Sequence, residues 1–249
     1  MEFQFVFLSF LLGLCFGSFS NSVIARIDNL KSLLFEFSKC PNCGKRLRFW
    51  NLIPLFSFAF QKGKCSYCKK PISFQYPLVE VATGILFSLF YLKFGLSFLT
   101  LKFCLYSLFL IPIFVIDLKR SIIPDKLIFP AIALAGFFEF ISFTSLDKIL
   151  LGIIFGSGFF LFLVLISKEK WMGWGDVKLG IFCGLVLKYP LILISLAFSF
   201  IFGALVGIIL IGLKKKTLKD EIPFGPFLIF STFLAILIGK EFLKWYLGF

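Results

Sequence analysis

Apolar residues gather in long runs whose lengths approach what is needed to cross a bilayer, at roughly Phe3 to Phe19, Leu78 to Phe94, Leu96 to Ile116, Leu127 to Phe143, Leu146 to Ile166, Val177 to Leu187, Leu191 to Leu213 and Pro223 to Leu247. The pattern predicts eight transmembrane helices. The sixth run is short, and a count of seven stands if Tyr189-Pro190 kinks one helix instead of turning between two. The intervening charges favour eight. With the amino terminus outside, the inward segments are Ser20 to Pro77, Asp117 to Lys126, Ser167 to Asp176 and Lys214 to Ile222, and they hold most of the basic residues, including Lys214-Lys215-Lys216. The outer turns hold few: Lys93, Lys102, Lys148, Lys188, and Lys240 and Lys244 near the carboxyl end.

Composition agrees with an integral membrane protein. Of 249 residues 59% are hydrophobic and only 16% charged, at a mean hydropathy of +1.00, which excludes an ordinary soluble domain. The 26 Lys and Arg against 13 Asp and Glu leave a net charge of +13. In a membrane chain that excess reports topology, and no nucleic-acid partner is inferred from it. There is no histidine, which excludes Ser-His-Asp and Cys-His hydrolysis, His-ligated zinc hydrolysis and haem held by His. Proton chemistry must then fall to carboxylates, Lys, Tyr or Cys. Glu2 precedes the first run and Arg26 follows it, with no basic stretch ahead, so the run reads as a retained helix and not as a cleaved signal. No repeat or flexible linker is evident, and the one stretch able to form a water-exposed module is about Ser20 to Pro77.

That stretch carries Cys40-Pro41-Asn42-Cys43 and Cys65-Ser66-Tyr67-Cys68, two C-x-x-C knuckles with 21 residues (44–64) between them. The spacing suits four sulfurs around one tetrahedral Zn²⁺, and without His the site is Cys₄. Lys45, Lys69 and Lys70 would offset the negative charge of a zinc tetrathiolate. Disulfides or redox thiols are the alternative, disfavoured in a module that faces a reducing cytoplasm. Four thiolates leave no open position, so the zinc is structural. Cys15, Cys104 and Cys183 stand singly in apolar runs and read as small hydrophobes.

Two carboxylates mark inner helix ends: Asp117 directly follows the third run, and Asp176, within Gly173-Trp174-Gly175-Asp176-Val177-Lys178, directly precedes the sixth. Asp176 reads equally as a helix N-cap. Asp117 taken alone reads as a solvated loop residue paired with Lys119 or Arg120, and Asp125 after Pro124 as an N-cap. Brought together in a poorly hydrated site, however, two carboxyls do not both ionise easily. One then keeps a proton as the acid while the other activates water, which is aspartic-protease chemistry without His.

Taken in order, these features resemble the prepilin peptidase family, or type IV leader peptidases, bacterial inner-membrane aspartic proteases of the Gly-x-Gly-Asp type. The resemblance covers nearly the whole chain: Gly13, Gly17-Ser18-Phe19, Asn21 and Arg26, both cysteine pairs, Tyr76-Pro77 with Glu80, Asp117, Ile123-Pro124-Asp125, Glu169-Lys170, the Gly-x-Gly-Asp176 motif and Pro223-Phe224-Gly225-Pro226. The family often has Pro soon after the Arg of the first motif, where this chain has Ile27-Asp28. The resemblance implies that Asp117 and Asp176 are the catalytic pair, and that the substrates are prepilins or pseudopilins, cut on the cytoplasmic side after a basic leader, typically between Gly and Phe. It also implies, for many members, methylation of the new amino terminus by S-adenosylmethionine. No Gly-x-Gly-x-x-Gly follows a strand, so motif logic does not locate that cofactor. Glu80 and Gly84 are contributors by position; the alternatives are an interfacial carboxylate paired with Lys for Glu80 and helix packing for Gly84.

The expected architecture is therefore an all-α polytopic membrane protein of about eight spans in the bacterial inner membrane. A first helix occupies 1–19, a cytoplasmic zinc module 20–77, and a transmembrane aspartic peptidase domain 78–249. Trp50, Trp171, Trp174 and Trp245 fall where an interfacial aromatic belt would lie. Two rival functions remain: a membrane thiol–disulfide oxidoreductase using the C-x-x-C pairs, and a non-enzymatic assembly or transport protein with a zinc docking module.

Overall fold

A computed structural model of the chain describes residues 2–31, 33, 36–143, 145–217 and 220–248. The described residues form no strand. Their α-helices are α1 (Glu2–Ala25), α2 (Phe56–Phe60), α3 (Gln75–Phe94), α4 (Phe98–Arg120), α5 (Asp125–Ile141), α6 (Leu146–Ser167), α7 (Trp174–Leu187), α8 (Leu191–Gly212) and α9 (Gly225–Leu247). The chain forms two compact units, Met1–Pro112 and Ile113–Phe249.

In the first unit α1 packs against α3. The register is antiparallel: Ser88 Oγ donates to Val6 O, Gly13 faces Gly84, Gly17 faces Glu80, and Asn21 Nδ2 donates to Tyr76 O. Small residues make this approach attainable. A Cβ on Gly13 would lie 2.6 Å from the Gly84 Cα, and one on Gly17 would lie 2.6 Å from the Glu80 Cα. Because lipid gives apolar helices no hydrophobic reason to associate, such close packing of small residues is what holds the pair.

The second unit repeats the device. Gly152 and Gly156 of α6 meet Gly184 and Gly180 of α7, each close enough that a methyl group would overlap the opposite carbonyl. α7 is also packed by α5, α8 and α9. Its apolar residues are correspondingly buried nearly all round, from Val177 and Leu179 through Phe182 to Leu187.

Six of the described helices, α1, α3, α4, α6, α8 and α9, are long and apolar enough to cross a membrane, which makes this a multi-pass membrane protein. The expectation of eight spans is met by six on length. α5 has 17 residues and α7 has 14. At ~1.5 Å per residue α7 reaches only about 21 Å, less than the roughly 30 Å hydrocarbon core. Between α7 and α8 the chain turns at Lys188 (φ 61°) and Pro190, so Tyr189-Pro190 joins two helices and does not kink one. Buried Glu139 of α5 pairs with Lys188 there, and the Tyr189 N–H donates to Lys148 O.

Candidate active site

Asp117 lies in the last turn of α4, inside the helix and not in the polar loop that follows it. It is 4% exposed, so the solvated-loop reading does not hold. Its carboxylate accepts the backbone N–H of Gly225, the first residue of α9. A Cβ at position 225 would overlap Asp117 Oδ2, which gives the glycine of Pro223-Phe224-Gly225-Pro226 a steric reason.

Asp176 is the third residue of α7, half-buried, and close enough to Asp117 for the charge of one to act on the other. It is not the N-cap, since Gly173 takes that place in extended conformation. Its carboxylate instead accepts the Gly173 N–H from the third helical position, half of a capping box. The cap and the placement beside Asp117 use the same side chain. Gly175 fits against Ile123, where a Cβ would stand 3.0 Å from the Ile123 Cβ, so the segment after α4 and the start of α7 interlock.

Asp125 is not an N-cap either; Pro124 precedes it there, and Asp125 opens α5 with its side chain 59% exposed. Lys178, two residues past Asp176, donates to Asp125 Oδ1 at 2.5 Å, a contact between residues 53 positions apart that no motif or spacing pairs. Ahead of Gly173, Lys168 and Glu169 hold positive φ of 52° and 65°, and Trp174 Nε1 donates to Glu169 Oε1 at 2.7 Å. Trp171 and Trp174 are exposed beside the site.

Glu80 lies in the first unit and is buried. Its carboxylate accepts the Leu55 N–H, 2.9 Å from Oε2, and the Ser18 hydroxyl, where the alternative reading had a Lys. That carboxylate is taken up and covered, a poor fit to a face that binds a soluble cofactor. Gly84 is a helix-packing residue against Gly13 and Phe10.

The four cysteines do converge: the Sγ atoms of Cys40, Cys43, Cys65 and Cys68 all lie within 4.8 Å of one another, and those of Cys40 and Cys68 are 4.0 Å apart. Tetrahedral coordination at ~2.3 Å requires sulfurs about 3.8 Å apart, so the donor set fits a zinc ion. The knuckles are built alike, which corrects the expectation that no repeat is present. Cys40 N–H donates to Lys45 O and Cys65 N–H to Lys70 O; Gly44 N–H donates to Cys40 O and Lys69 N–H to Cys65 O. Antiparallel bridges Lys39 to Arg46 and Lys64 to Pro71 complete each copy. Gly44 and Lys69 occupy the matching left-handed positions, φ 68° and 58°. The N–H groups of Cys68 and Tyr67 hold the Cys65 thiol down, whereas burial and the neighbouring thiols of Cys65, Cys43 and Cys40 push Cys68 up, so the four sulfurs share their protons unequally.

The chain is thus a multi-pass membrane protein with a Gly-x-Gly-Asp carboxylate at one helix start beside a carboxylate in the last turn of another helix. Comparison with known sequences narrows it. Residues 11–94 match the bacterial peptidase A24 N-terminal domain and residues 104–208 the type IV leader peptidase family. A prepilin leader peptidase/N-methyltransferase of Pseudomonas aeruginosa is 33% identical, covering 98% of this chain and 94% of that protein. Proteins of the same name from Bacillus subtilis and Aeromonas hydrophila are each 32% identical, covering 96% of this chain and 96% and 93% of their own lengths. The chain belongs to the type IV leader peptidase family. No solved structure matches it.

Proposed function

We propose that this protein is a membrane aspartic endopeptidase that removes the basic leader of prepilins or pseudopilins, with Asp117 and Asp176 as its catalytic pair. The observation that carries the reading is the apposition of two carboxyls, one fixed by Gly225 N–H and the other by Gly173 N–H, in a protein without histidine. In hydrolysis one carboxylate takes a proton from water as its oxygen attacks the scissile carbonyl carbon. The other, protonated, donates to the carbonyl oxygen. Collapse of the tetrahedral intermediate passes a proton to the leaving nitrogen and breaks the C–N bond.

The full proposal places α5 and α7 in the membrane with the six longer helices, eight spans in a bacterial inner membrane, with the carboxyl pair and the cysteine module on the cytoplasmic side. The concentration of Lys and Arg in the segments on that side supports it. A substrate with an apolar helix behind its leader would then lie in the bilayer and present its junction at the level of Asp117 and Asp176. Cys40, Cys43, Cys65 and Cys68 would hold a structural zinc ion, which supplies cross-linking and no open coordination position. Methylation of the new amino terminus, with S-adenosylmethionine as donor, follows the relatives' name. Glu80, whose carboxylate serves Leu55 and Ser18, is better read as fixing the module than as holding that donor.

The test is cleavage of a prepilin by purified protein in liposomes, beside Asp117→Asn, Asp176→Asn and Asp125→Asn, with the cut site and any added methyl group read by mass spectrometry. Folded Asp117→Asn and Asp176→Asn should be inactive and Asp125→Asn active. Normal cutting by Asp117→Asn would remove the pair from the mechanism. Failure of the unaltered protein on a competent substrate would return the reading to a thiol oxidoreductase or an assembly protein.

A further inference from the structure

The first unit displays an apolar patch in the segment between the two knuckles. Phe49, Trp50 and Phe60 are 75%, 73% and 84% exposed, and Leu52 and Phe56 are exposed with them. Such residues in water would be an aggregation hazard on a monomeric domain. Around them the charge has one sign. From Phe37 to Val79 the sequence holds eight Lys and Arg and no Asp or Glu. Lys45, Arg46 and Arg48 converge with Phe49 and Tyr67 on a cleft of about 590 Å³, and Arg46 stacks on Phe37 at 3.1 Å.

A hydrogen bond sets the level of this patch. Leu55 N–H is bonded to Glu80 Oε2, and Glu80 is five residues past the start of α3 at Gln75. At ~1.5 Å per residue that is about 7.5 Å into a helix that crosses the membrane. Leu55 therefore lies beside the second turn of α3, one of the helices long and apolar enough to cross a membrane, and its neighbours Leu52, Phe56 and Phe60 are exposed. The module is also tied at both ends to membrane helices, α1 ending at Ala25 and α3 beginning at Gln75.

We propose that the segment 49–60 is a membrane anchor, whose aromatic side chains insert into the leaflet from which α3 emerges, while Lys45, Arg46 and Arg48 engage the headgroups of anionic phospholipids. Aromatic rings at the interface with cations at headgroup level are the composition of an amphipathic surface anchor. The same cations would repel a basic leader peptide, so the occupant is lipid and not substrate. The anchor would hold the cysteine module flat against the bilayer beside α1 and α3. It shares with the proposed function only the side of the membrane on which the module lies.

The experiment uses the full chain with Trp171, Trp174 and Trp245 replaced by Phe, leaving Trp50, reconstituted into liposomes whose lipids carry bromine near the top of the acyl chain. Trp50 emission should fall roughly twofold in vesicles rich in phosphatidylglycerol and less in pure phosphatidylcholine, as expected for a ring at the interface. Phe56→Ser with Phe60→Ser should abolish the quenching, and Arg46→Glu with Arg48→Glu should remove its dependence on anionic lipid. Trp50 that is unquenched by brominated lipid yet quenched by aqueous iodide overturns the anchor. Quenching equal in both lipids overturns the headgroup assignment. The loss of quenching on Trp50→Phe in the otherwise unaltered chain answers the same question without the other replacements, and its leader-peptide cleavage reports separately on the active site.

Discussion

The backbone N–H of Gly225 donates to the carboxylate of Asp117, and no side chain fits at Gly225 without overlapping that carboxylate. Gly225→Ala must push either Asp117 or the start of α9 away. A displacement of about 1 Å in a catalytic group costs on the order of a hundredfold in rate. The expected result is a loss of leader cleavage of about that size with helical content unchanged, read by cleavage kinetics beside circular dichroism. Full activity in Gly225→Ala would mean that this contact does not set the position of Asp117.

Lys178 and Asp125 form an ion pair open to solvent, so screening leaves it worth ~0.5 kcal/mol or less. Asp125→Asn should therefore lower stability little and slow cleavage only a few-fold, through a looser junction between α5 and α7. Exchanging the charges, Asp125→Lys with Lys178→Asp, should recover most of what either single change loses. An inactive Asp125→Asn that the exchange fails to rescue would give Asp125 a direct part in the chemistry.

Much of this fold was legible because bilayer-crossing helices announce themselves by composition, and each of the eight apolar runs contains a helix. Their ends were less so. Asp117-Leu118-Lys119-Arg120 is polar and read as loop, yet the backbone stays helical through Arg120, since Lys and Arg suit a helix carboxyl end. α1 likewise runs to Ala25, past the apolar stretch that ends near Phe19. The glycines at 13 and 17, 152 and 156, and 180 and 184 recur at intervals of four, a signal for close helix pairing available in the sequence and passed over. The pairs Lys178 with Asp125 and Glu139 with Lys188 had no such signal, because each joins residues that only the folded bundle brings together.

The glycine contacts between α6 and α7 separate two substitutions on one helix. At Gly156 a methyl group would stand 2.5 Å from the Gly180 oxygen, whereas at Gly158 nothing lies within 4 Å. Gly156→Ala should destabilise the second unit by about 1–3 kcal/mol as overpacking does. Gly158→Ala should be neutral or stabilise by up to ~1 kcal/mol, through helix propensity. Unfolding in mild detergent, followed by the loss of cleavage activity, ranks the two; equal stability would contradict the close approach of these helices.

The cysteine cluster predicts one zinc ion per chain by elemental analysis, and four thiols that resist alkylation until a strong chelator is added. Cys40→Ser should lower zinc content and expose the remaining three thiols, because three thiolates around zinc leave a position open to water and exchange. Thiols that react at once in the native protein, without zinc, would favour the oxidoreductase reading instead.

Glu80 separates a charge from a hydrogen-bond acceptor. Its carboxylate takes the Leu55 N–H, a residue held at φ 60° that opens α2, so the bond stabilises a backbone turn that L-residues otherwise avoid. Glu80→Gln keeps an oxygen in place for that N–H, whereas Glu80→Ala leaves it buried and unpaired at a cost of about 1–3 kcal/mol. If Glu80 fixes the module, hydrogen exchange at Leu55 should accelerate in Glu80→Ala and stay near normal in Glu80→Gln, and amino-terminal methylation should follow the same order. If Glu80 instead serves the methyl donor through its charge, Glu80→Gln should lose methylation while the Leu55 amide remains protected. Leader cleavage, which the proposed function assigns to Asp117 and Asp176 of the other unit, should survive both substitutions.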